Sequence, residues 1–325
     1  MSARLLSILL AIVLALAGAA GCGGSDPAPV EESGNDLGPR VIEADPANRR
    51  KSITIGSKSF TESIILANIY GQALAKAGYG VRYDLEVGRE DVATKAMRSG
   101  RIDGYPEYTG TALTVLLGVP TDQVPKEETE AYEEARRRYA QKYDFVALPQ
   151  TPFTDSNAVG LTAERARDLG NPKTISDLAR THNGRLTLAA PAECFERPDC
   201  APGLERVYGL TFEREIPIDV EDRHEVILQG RADLTIPFTT DGQIAANDEV
   251  ILEDDKDLFP PYNMTFVLTR EAAERLGPPA RRIITTVQQG LTTPVMQELN
   301  SRVDLDGQKP EVVARQYLQA EGFVR

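Results

Sequence analysis

The hydrophobic positions of the chain switch repeatedly between two spacings from residue 53 onward, and this alternation predicts an α/β fold. Residues 53–57 and 81–87 have the pattern of short strands. Residues 91–99 have helical periodicity and end at Gly100. Strands alternating with helices are typical of a parallel sheet covered by helices. A second such series begins at Ala158, so the pattern predicts two α/β units.

The segment at residues 102–111, IDGYPEYTGT, is the centre of this prediction. Its apolar start and its Gly-Tyr-Pro break predict a strand that ends in a turn, with a helix from Ala112. In an open α/β sheet, ligands bind beside the carboxyl ends of the strands. Tyrosines and threonines stand at that position without a nucleophile–base pair, which favours binding a small molecule over cleaving it.

Lys58 lies between the first predicted strand and the first predicted helix. Ser59 and Glu62 have the spacing of a capping box, in which Ser59 accepts from the helix and Glu62 reaches back. Exposed N–H groups and the helix dipole favour an anion at such a position. The spacing therefore predicts an anion-binding role for Lys58, and a solvated surface lysine fits the same spacing.

Composition and motifs exclude several classes of function. The formal net charge of -13 over 325 residues argues against a nucleic-acid partner, which favours a basic face. Trp is absent, so an aromatic site has to be made from 11 Tyr and 9 Phe. The chain contains no nucleophile elbow, zinc-binding helix, phosphate-binding glycine loop or dinucleotide fingerprint. We therefore expect no enzyme activity, no cofactor and no metal.

The first residues carry the features of an export signal. Arg4 precedes an apolar run at residues 5–17, and small residues lead to Cys22. Residues 1–21 are therefore interpreted as a signal peptide. The residues before Cys22 resemble a bacterial lipobox, which implies a diacylglycerol on that thiol; a soluble secreted protein is the alternative. Residues 22–51 are rich in Gly, Pro and acidic residues, which predicts a flexible lipidated tether.

The two remaining cysteines, Cys194 and Cys200, lie close together in a proline-containing loop. An exported chain with one remaining pair most simply forms a disulfide from it. A metal site would need further ligands, and both histidines are distant in sequence. We expect the disulfide.

Five strings in the chain occur together in the order found in one family: GSKSFTE at 56–62, YPEYTGT at 105–111, ERPD at 196–199, TTD at 239–241, and LEDDK at 252–256 with FPPY at 259–262. The chain resembles the glycine betaine/choline-type substrate-binding proteins of bacterial and archaeal ABC importers. The resemblance covers residue 53 to the C-terminus. It implies a type II periplasmic-binding-protein-like α/β fold, with lobe I at 52–155 plus 259–325, lobe II at 156–258, and two hinge-crossing segments.

The resemblance also implies a set of ligand-binding residues. A quaternary ammonium cannot donate hydrogen bonds, so such sites surround it with aromatic faces. The implied cage positions are Tyr108, Asn157, Phe238 and Tyr262, with a backbone carbonyl from Asp155; a ligand carboxylate would meet Lys58, Thr111 and Arg197. Asn157 and Phe238 both stand where tyrosines are usual. Phe238 keeps an aromatic face, whereas Asn157 removes one wall and leaves a three-sided cage.

These features predict an extracytoplasmic, lipid-anchored protein that captures glycine betaine or a related quaternary amine for an ABC permease and its ATPase. The retained cationic positions favour a zwitterion over choline. One alternative is a protein that binds another small polar solute through the altered cage. Another is a sensor module that uses the same fold to signal to a membrane receptor, and an exported enzyme is a third.

Overall fold

The computed structural model describes residues 41–325. The predicted signal peptide and the predicted lipidation site at Cys22 lie outside the described residues. Among residues 41–325, no helix combines the length and the apolar character needed to cross a membrane.

Ten strands form two five-stranded sheets within the described part of the chain. The strands are β1 (Ser52–Gly56), β2 (Gly80–Asp84), β3 (Gly104–Tyr108), β4 (Phe145–Ala147), β5 (Val159–Thr162), β6 (Thr187–Pro191), β7 (Arg214–Ile218), β8 (Leu234–Thr235), β9 (Glu249–Leu252) and β10 (Met264–Thr269). The first sheet has the order β2-β1-β3-β10-β4 and the second has the order β7-β6-β8-β5-β9. No strand is shared between them.

The two sheets have the same connectivity. In the first, β1 is parallel to β2 and β3, and β10 runs antiparallel between β3 and β4. In the second, β6 is parallel to β7 and β8, and β5 runs antiparallel between β8 and β9. Each sheet therefore receives one reversed strand from the segment that connects it with the other sheet. The carboxyl ends of the parallel strands meet the crossing segments at one edge.

Two crossing segments join the sheets, one between β4 and β5 and one between β9 and β10. They run side by side, since Thr154 forms an antiparallel bridge with Asn263 and the Asp155 N–H donates to the Tyr262 carbonyl over 3.2 Å. Asn157 then forms an isolated antiparallel bridge with Phe238, in the loop after β8. Loops of both sheets are thereby brought to the place where the chain crosses.

Helices cover the faces of both sheets. They are α1 (Thr61–Lys76), α2 (Glu90–Arg98), α3 (Thr109–Thr111), α4 (Glu128–Tyr143), α5 (Ala163–Asp168), α6 (Ile175–His182), α7 (Ala201–Tyr208), α8 (Glu225–Leu228), α9 (Gln243–Ala246), α10 (Arg270–Leu276), α11 (Pro278–Val287), α12 (Thr293–Asp304) and α13 (Pro310–Ala320). Helix α1 is buried along most of its length because α11, α12 and α13 pack against it. The C-terminal helices therefore return to the first sheet.

Two local expectations differ from the structure. Residues 41–51 were expected to end a flexible tether, but Ile42 donates its N–H to the Phe323 carbonyl and Asn48 is buried. These residues lie against the folded domain because Asn48 Nδ2 donates to the Ala77 carbonyl over 3.0 Å. The expected break before Pro106 lies inside β3 instead, where Pro106 is paired with Phe266 of β10.

Candidate functional site

Three aromatic rings from both sheets meet at the crossing, and we call Phe60, Tyr108 and Phe238 the ring cluster. Phe60 precedes α1, Tyr108 ends β3, and Phe238 follows β8. The Phe60 centroid lies 6.0 Å from that of Tyr108 and 5.8 Å from that of Phe238. Both separations fall within the range of favourable aromatic pairs. The ring cluster therefore spans the gap between the two sheets.

The ammonium group of Lys58 lies on the ring cluster. Its Nζ is 4.6 Å from the Tyr108 centroid and 5.6 Å from the Phe60 centroid. The same Nζ donates to Glu107 Oε1 over 2.7 Å, and Glu107 is fully buried. Glu107 also accepts from the Tyr105 hydroxyl over 2.7 Å. The ring faces thus bind a cation, and Lys58 is held there by a buried carboxylate.

The Tyr262 ring packs directly against the backbone of Gly110, where only a glycine leaves enough room for it. A Cβ at Gly110 would lie 2.8 Å from the Tyr262 ring and 2.8 Å from the Pro261 carbonyl oxygen. The Thr109 hydroxyl holds the same segment by donating to that carbonyl over 2.9 Å. Asn157 Nδ2 lies 3.4 Å from the Tyr262 hydroxyl. Gly110 therefore sets the position of the Tyr262 ring beside α3.

Arg197 is paired with a buried acid, Asp199. Its Nε and Nη2 donate to the two Asp199 oxygens over 2.9 and 2.7 Å. Asp199 also accepts from the Tyr262 hydroxyl over 2.5 Å and from the Thr114 hydroxyl over 3.3 Å. Burial alone would raise the pKa of Asp199, but its bonds with Arg197 hold that pKa below its usual range. Asp199 therefore connects the loop after β6 with Tyr262 of the second crossing segment and with Thr114, which follows α3.

The loop that carries Arg197 and Asp199 is closed by a disulfide. Cys194 and Cys200 are joined, with 5.1 Å between their Cα atoms. Cys194 lies in a short 3₁₀ segment after β6, and Cys200 precedes α7. The bond therefore fixes both ends of the turn from which the Arg197 side chain extends.

Two buried carboxyl groups, Glu62 and Asp155, lie behind the ring cluster. Glu62 Oε1 accepts from the Tyr108 hydroxyl over 2.7 Å, and its Oε2 accepts from Asn300 Nδ2 over 3.0 Å. Asp155 Oδ1 accepts from the Thr240 hydroxyl over 2.7 Å. Burial raises the pKa of Glu62, and burial followed by repulsion from Glu62 raises that of Asp155 well above its usual range.

Phe238 is held from behind by a charged cluster. Asp241 accepts from the Phe238 N–H over 2.8 Å and from Arg223 over 2.7 and 2.5 Å, and His224 Nε2 lies 3.0 Å away. Arg223 Cζ also lies 4.6 Å from the Phe238 centroid. Burial would raise the pKa of Asp241, but Arg223 and His224 lower it to about 2. Burial alone would lower the pKa of His224; its bonds to Asp241 and Glu249 raise it.

The structure brings most of the residues predicted for the site to the crossing, in two groups. One group contains Lys58, Tyr108 and Phe238; the other contains Asn157, Arg197 and Tyr262, linked through Asp199. The Asn157–Phe238 bridge joins the two groups, and Asp155 lies beside them. Thr111 is buried in α3, one turn after Tyr108, and none of the contacts described above involves it.

Sequence reasoning missed several residues of this site. Phe60 lies in the string GSKSFTE at 56–62, but the sequence pattern predicts no ligand contact for it. The capping box proposed for Ser59 and Glu62 is wrong: α1 begins at Thr61 without a side-chain cap, and Glu62 bonds Tyr108 and Asn300 instead. An acid two residues after Arg197 was a usable signal for Asp199.

A separate open cavity of about 690 Å³ lies at the opposite edge of the first sheet. Ser52, Asp103 and Phe145 line it together with Arg275, which donates to Asp103 over 2.6 Å. None of the predicted site residues lines this cavity, and the carboxyl ends of the parallel strands face the other way.

Within residues 41–325, no group of three or more His, Cys, Asp or Glu side chains is arranged to hold a metal ion.

The sequence is similar to those of known binding proteins. The chain is 31% identical over 281 residues to the glycine-betaine-binding protein of Pseudomonas aeruginosa, covering 83% of this chain and 88% of that protein. It is 27% identical over 278 residues to the ergothioneine transport permease/ergothioneine binding protein EgtU of Helicobacter pylori, covering 85% of this chain. This chain spans only 49% of that longer relative.

Solved structures confirm the predicted fold class. A glycine betaine/carnitine/choline ABC transporter structure superposes with a TM-score of 0.68 at 26% identity, covering 82% of this chain and 98% of the other. Apo YehZ from Escherichia coli gives 0.63 at 25% identity, covering 83% and 99%. The fold is the two-lobe type II fold of periplasmic binding proteins.

A model of a known protein family matches most of the chain. The model named OpuAC, described as the substrate binding domain of ABC-type glycine betaine transport system, matches residues 51–320. That description is of a binding protein and not of an enzyme, and it confirms the resemblance drawn from the five strings. The chain therefore belongs to the family of substrate-binding domains of ABC-type glycine betaine transport systems.

Proposed function

We propose that this protein captures glycine betaine or a related quaternary-amine solute between its two lobes and delivers it to an ABC permease with its ATPase. Substrate-binding proteins of this family act outside the cytoplasm and carry out no chemical reaction. Lobe I comprises residues 52–155 plus 259–325, and lobe II comprises residues 156–258. The presence of two separate sheets with no shared strand supports this division.

The observation that carries this proposal is the meeting of aromatic rings from both sheets at the crossing. Phe60, which precedes α1, packs against both Tyr108 of β3 and Phe238 of the loop after β8, and Tyr262 lies on the second crossing segment. The Lys58 ammonium already lies on two of these rings. A quaternary ammonium group would be stabilised by the same faces, by about 0.5–2 kcal/mol per good contact.

A carboxylate on the ligand would be held by Lys58, Thr111 and Arg197. Both cations have buried acidic partners in this structure, Glu107 and Asp199. Arg197 uses Nε and one Nη2 hydrogen for Asp199, so the remaining donors of its guanidinium are able to meet a second carboxylate. The Arg197 position favours a zwitterion over choline under this arrangement.

Closure of the lobes completes the site. Arg197 and Phe238 belong to lobe II, whereas Lys58 and Tyr108 belong to lobe I. A ligand that contacts both lobes stabilises the closed state because it binds that state better than the open one. The permease would then recognise the closed form. We further propose that a diacylglycerol on Cys22 anchors the protein to the membrane.

Several solutes have to be compared as ligands because Asn157 replaces one of the four aromatic residues that would surround a quaternary ammonium group. Relatives include proteins named for glycine betaine, carnitine and ergothioneine. Asn157 places an amide 3.4 Å from the Tyr262 hydroxyl, which favours a solute whose polar group bonds that amide. Another small polar solute is therefore the second candidate.

A thermal-shift screen followed by calorimetry tests the proposal. Glycine betaine, carnitine, choline, ergothioneine, ectoine and amino acids form the panel. We expect at least one quaternary amine to raise the melting temperature and to bind with a negative heat-capacity change, as burial of apolar methyl groups requires. Absence of binding by every quaternary amine would refute the ligand class. Mass spectrometry of the membrane-bound protein would show the lipid on Cys22.

A further inference from the structure

Glu62 is a buried acid that no cation neutralises. It is 3% exposed, and among residues 41–325 no Lys, Arg or His side chain forms an ion pair with it. Its partners are the Tyr108 hydroxyl and Asn300. A buried carboxylate without a counter-charge is costly, since burial favours the neutral form.

Asp155 shares this situation on the crossing segment. It is buried, and its side-chain partner is the Thr240 hydroxyl, which also lies within hydrogen-bond reach of Glu62. The groups that face this pair from the neighbouring elements are Tyr108 of β3, Tyr70 of α1, Asp241 of the loop after β8, and Arg223. Arg223 is already engaged by Asp241 through both oxygens.

The pair lies close to the surface on which a cation binds. Glu62 accepts the hydroxyl hydrogen of Tyr108, the same ring whose face holds the Lys58 ammonium. Lys58 itself is neutralised by Glu107 rather than by Glu62. When ionised, Glu62 and Asp155 would place negative charge beside the ring cluster, and no Lys, Arg or His side chain among residues 41–325 forms an ion pair with either of them.

We propose that Glu62, together with Asp155, is the counter-charge for the positive head of the ligand, and that binding of the cation releases a proton from this pair. The inference rests on the proposed function and specifies its charge chemistry. The balance is simple: the carboxyl group loses its proton to the solvent, the carboxylate remains, and the ligand supplies the positive charge. The quaternary ammonium has no proton of its own to exchange.

The sign of the pH dependence follows from this balance. In the ligand-free protein, burial and mutual repulsion hold the pKa of each carboxyl group above its ordinary value. A bound cation favours the ionised form and lowers that pKa. Cation affinity therefore rises with pH up to the ligand-free pKa and is constant above it, and proton release is confined to the interval between the bound and free values.

Calorimetry of the wild-type protein in two buffers tests the proposal without any mutation. Choline is titrated in phosphate and in Tris at several pH values, because the difference in observed heat reports the protons transferred to buffer. The neutral isostere 3,3-dimethylbutan-1-ol is the matched ligand. We expect proton release with choline at one or more pH values and none with the isostere. Binding of choline without proton release at any pH would overturn the proposal.

Glu62→Gln separates the charge from the shape of the side chain. We expect it to abolish the proton release that Glu62 supplies and to weaken choline about tenfold, the equivalent of one pKa unit, with a smaller effect on the isostere. Asp155→Asn serves as the second variant. Glu271→Gln is the control, since Glu271 is 88% exposed on α10. Equal loss for choline and isostere would assign Glu62 a structural role only and contradict the inference.

Failure of the inference differs from failure of the proposed function. If wild-type protein binds no quaternary amine, the function is refuted and this inference falls with it. If wild-type protein binds choline with no proton exchange and Glu62→Gln leaves the choline-to-isostere affinity ratio unchanged, the ligand class stands and the counter-charge role is refuted.

Discussion

Each buried cationic side chain around the rings is paired with an acidic side chain. A single substitution in such a pair therefore changes the stability of the fold as well as ligand affinity. The pairs are Lys58–Glu107, Arg197–Asp199 and Arg223–Asp241. Removing one member of a buried pair costs about 3–5 kcal/mol because the other charge is left unpaired. Effects on binding therefore have to be separated from effects on folding.

Replacing Arg197 with alanine changes ligand preference. Asp199 loses its counter-charge, so glycine betaine loses a carboxylate partner while choline gains an attractive anion. We expect betaine affinity to fall at least about tenfold, the effect of losing roughly one charge-assisted hydrogen bond, and choline affinity to hold or rise. Calorimetry with both ligands measures this, and Arg180→Ala is the control because Arg180 is 70% exposed on α6. An equal loss for both ligands would contradict the carboxylate role.

Replacing Phe60 with alanine tests the ring that sequence reasoning missed. Its centroid lies about equally far from those of Tyr108 and Phe238, so the change removes a wall shared by both lobes. We expect quaternary amines to bind more weakly by about 0.5–2 kcal/mol. Phe212→Ala, in the second lobe away from the rings, controls for lost packing. If the Phe60→Ala variant binds quaternary amines as tightly as the wild-type protein, Phe60 does not contact the ligand.

Asp241 makes stability depend on pH in the acid range. Its pKa is about 2 in the folded protein, against about 3.9 in an unfolded chain. The depressed value contributes on the order of 2–3 kcal/mol of stability above pH 4, which is lost as pH falls through about 2. We expect the stability gap between wild type and Asp241→Asn, measured by urea unfolding, to shrink from pH 5 to pH 2. A constant gap would contradict this linkage.

At the scale of elements, α12 holds the loop that follows β8. Gln297 Nε2 donates to the Thr239 carbonyl over 2.9 Å, and Asn300 Nδ2 donates to the Thr240 carbonyl over 3.0 Å. A helix of lobe I is thus bonded to a loop of lobe II. In this structure these contacts hold the two lobes together, and both are made by neutral amide side chains.

Gln297→Ala is expected to weaken all ligands alike. Loss of one such hydrogen bond removes about 0.5–1.5 kcal/mol of closure energy, so charged and neutral ligands lose affinity by the same factor. Titrations with choline and 3,3-dimethylbutan-1-ol test this. Gln289→Ala is the control because the Gln289 side chain is exposed and donates over 3.3 Å to the Thr285 carbonyl, four residues earlier and away from the loop after β8. A loss confined to choline would argue that α12 acts on the charge and not on closure.

The local sequence pattern predicts helices and strands well where the hydrophobic periodicity is strong. It fails where a residue's role depends on contacts with residues far away in the sequence. The bounds of β1 and α2 lie within one residue of the expected segments at 53–57 and 91–99. Glu62 left its expected capping role because its partners, Tyr108 and Asn300, are 46 and 238 positions away. Pro106 fits inside β3 because it pairs with Phe266, which pattern alone does not reveal.

At the scale of the whole molecule, the site is assembled from segments distant in sequence. Phe60 meets Phe238, and Asp199 meets Tyr262, through the facing edges of two separate sheets. Periodicity predicts the two α/β units but no contact between them. The resemblance to a family supplied the ligand-binding set, and the structure added the carboxylates Glu62, Glu107 and Asp199 behind it.

Binding between lobes is the central claim, and a crystal structure of the protein with a bound quaternary amine tests it most directly. The account predicts the ammonium nitrogen within about 6 Å of the centroids of Tyr108, Phe238 and Tyr262, with Glu62 behind the Tyr108 hydroxyl. A ligand found instead in the cavity beside Asp103 and Arg275, or on the outer surface of either lobe, would contradict it.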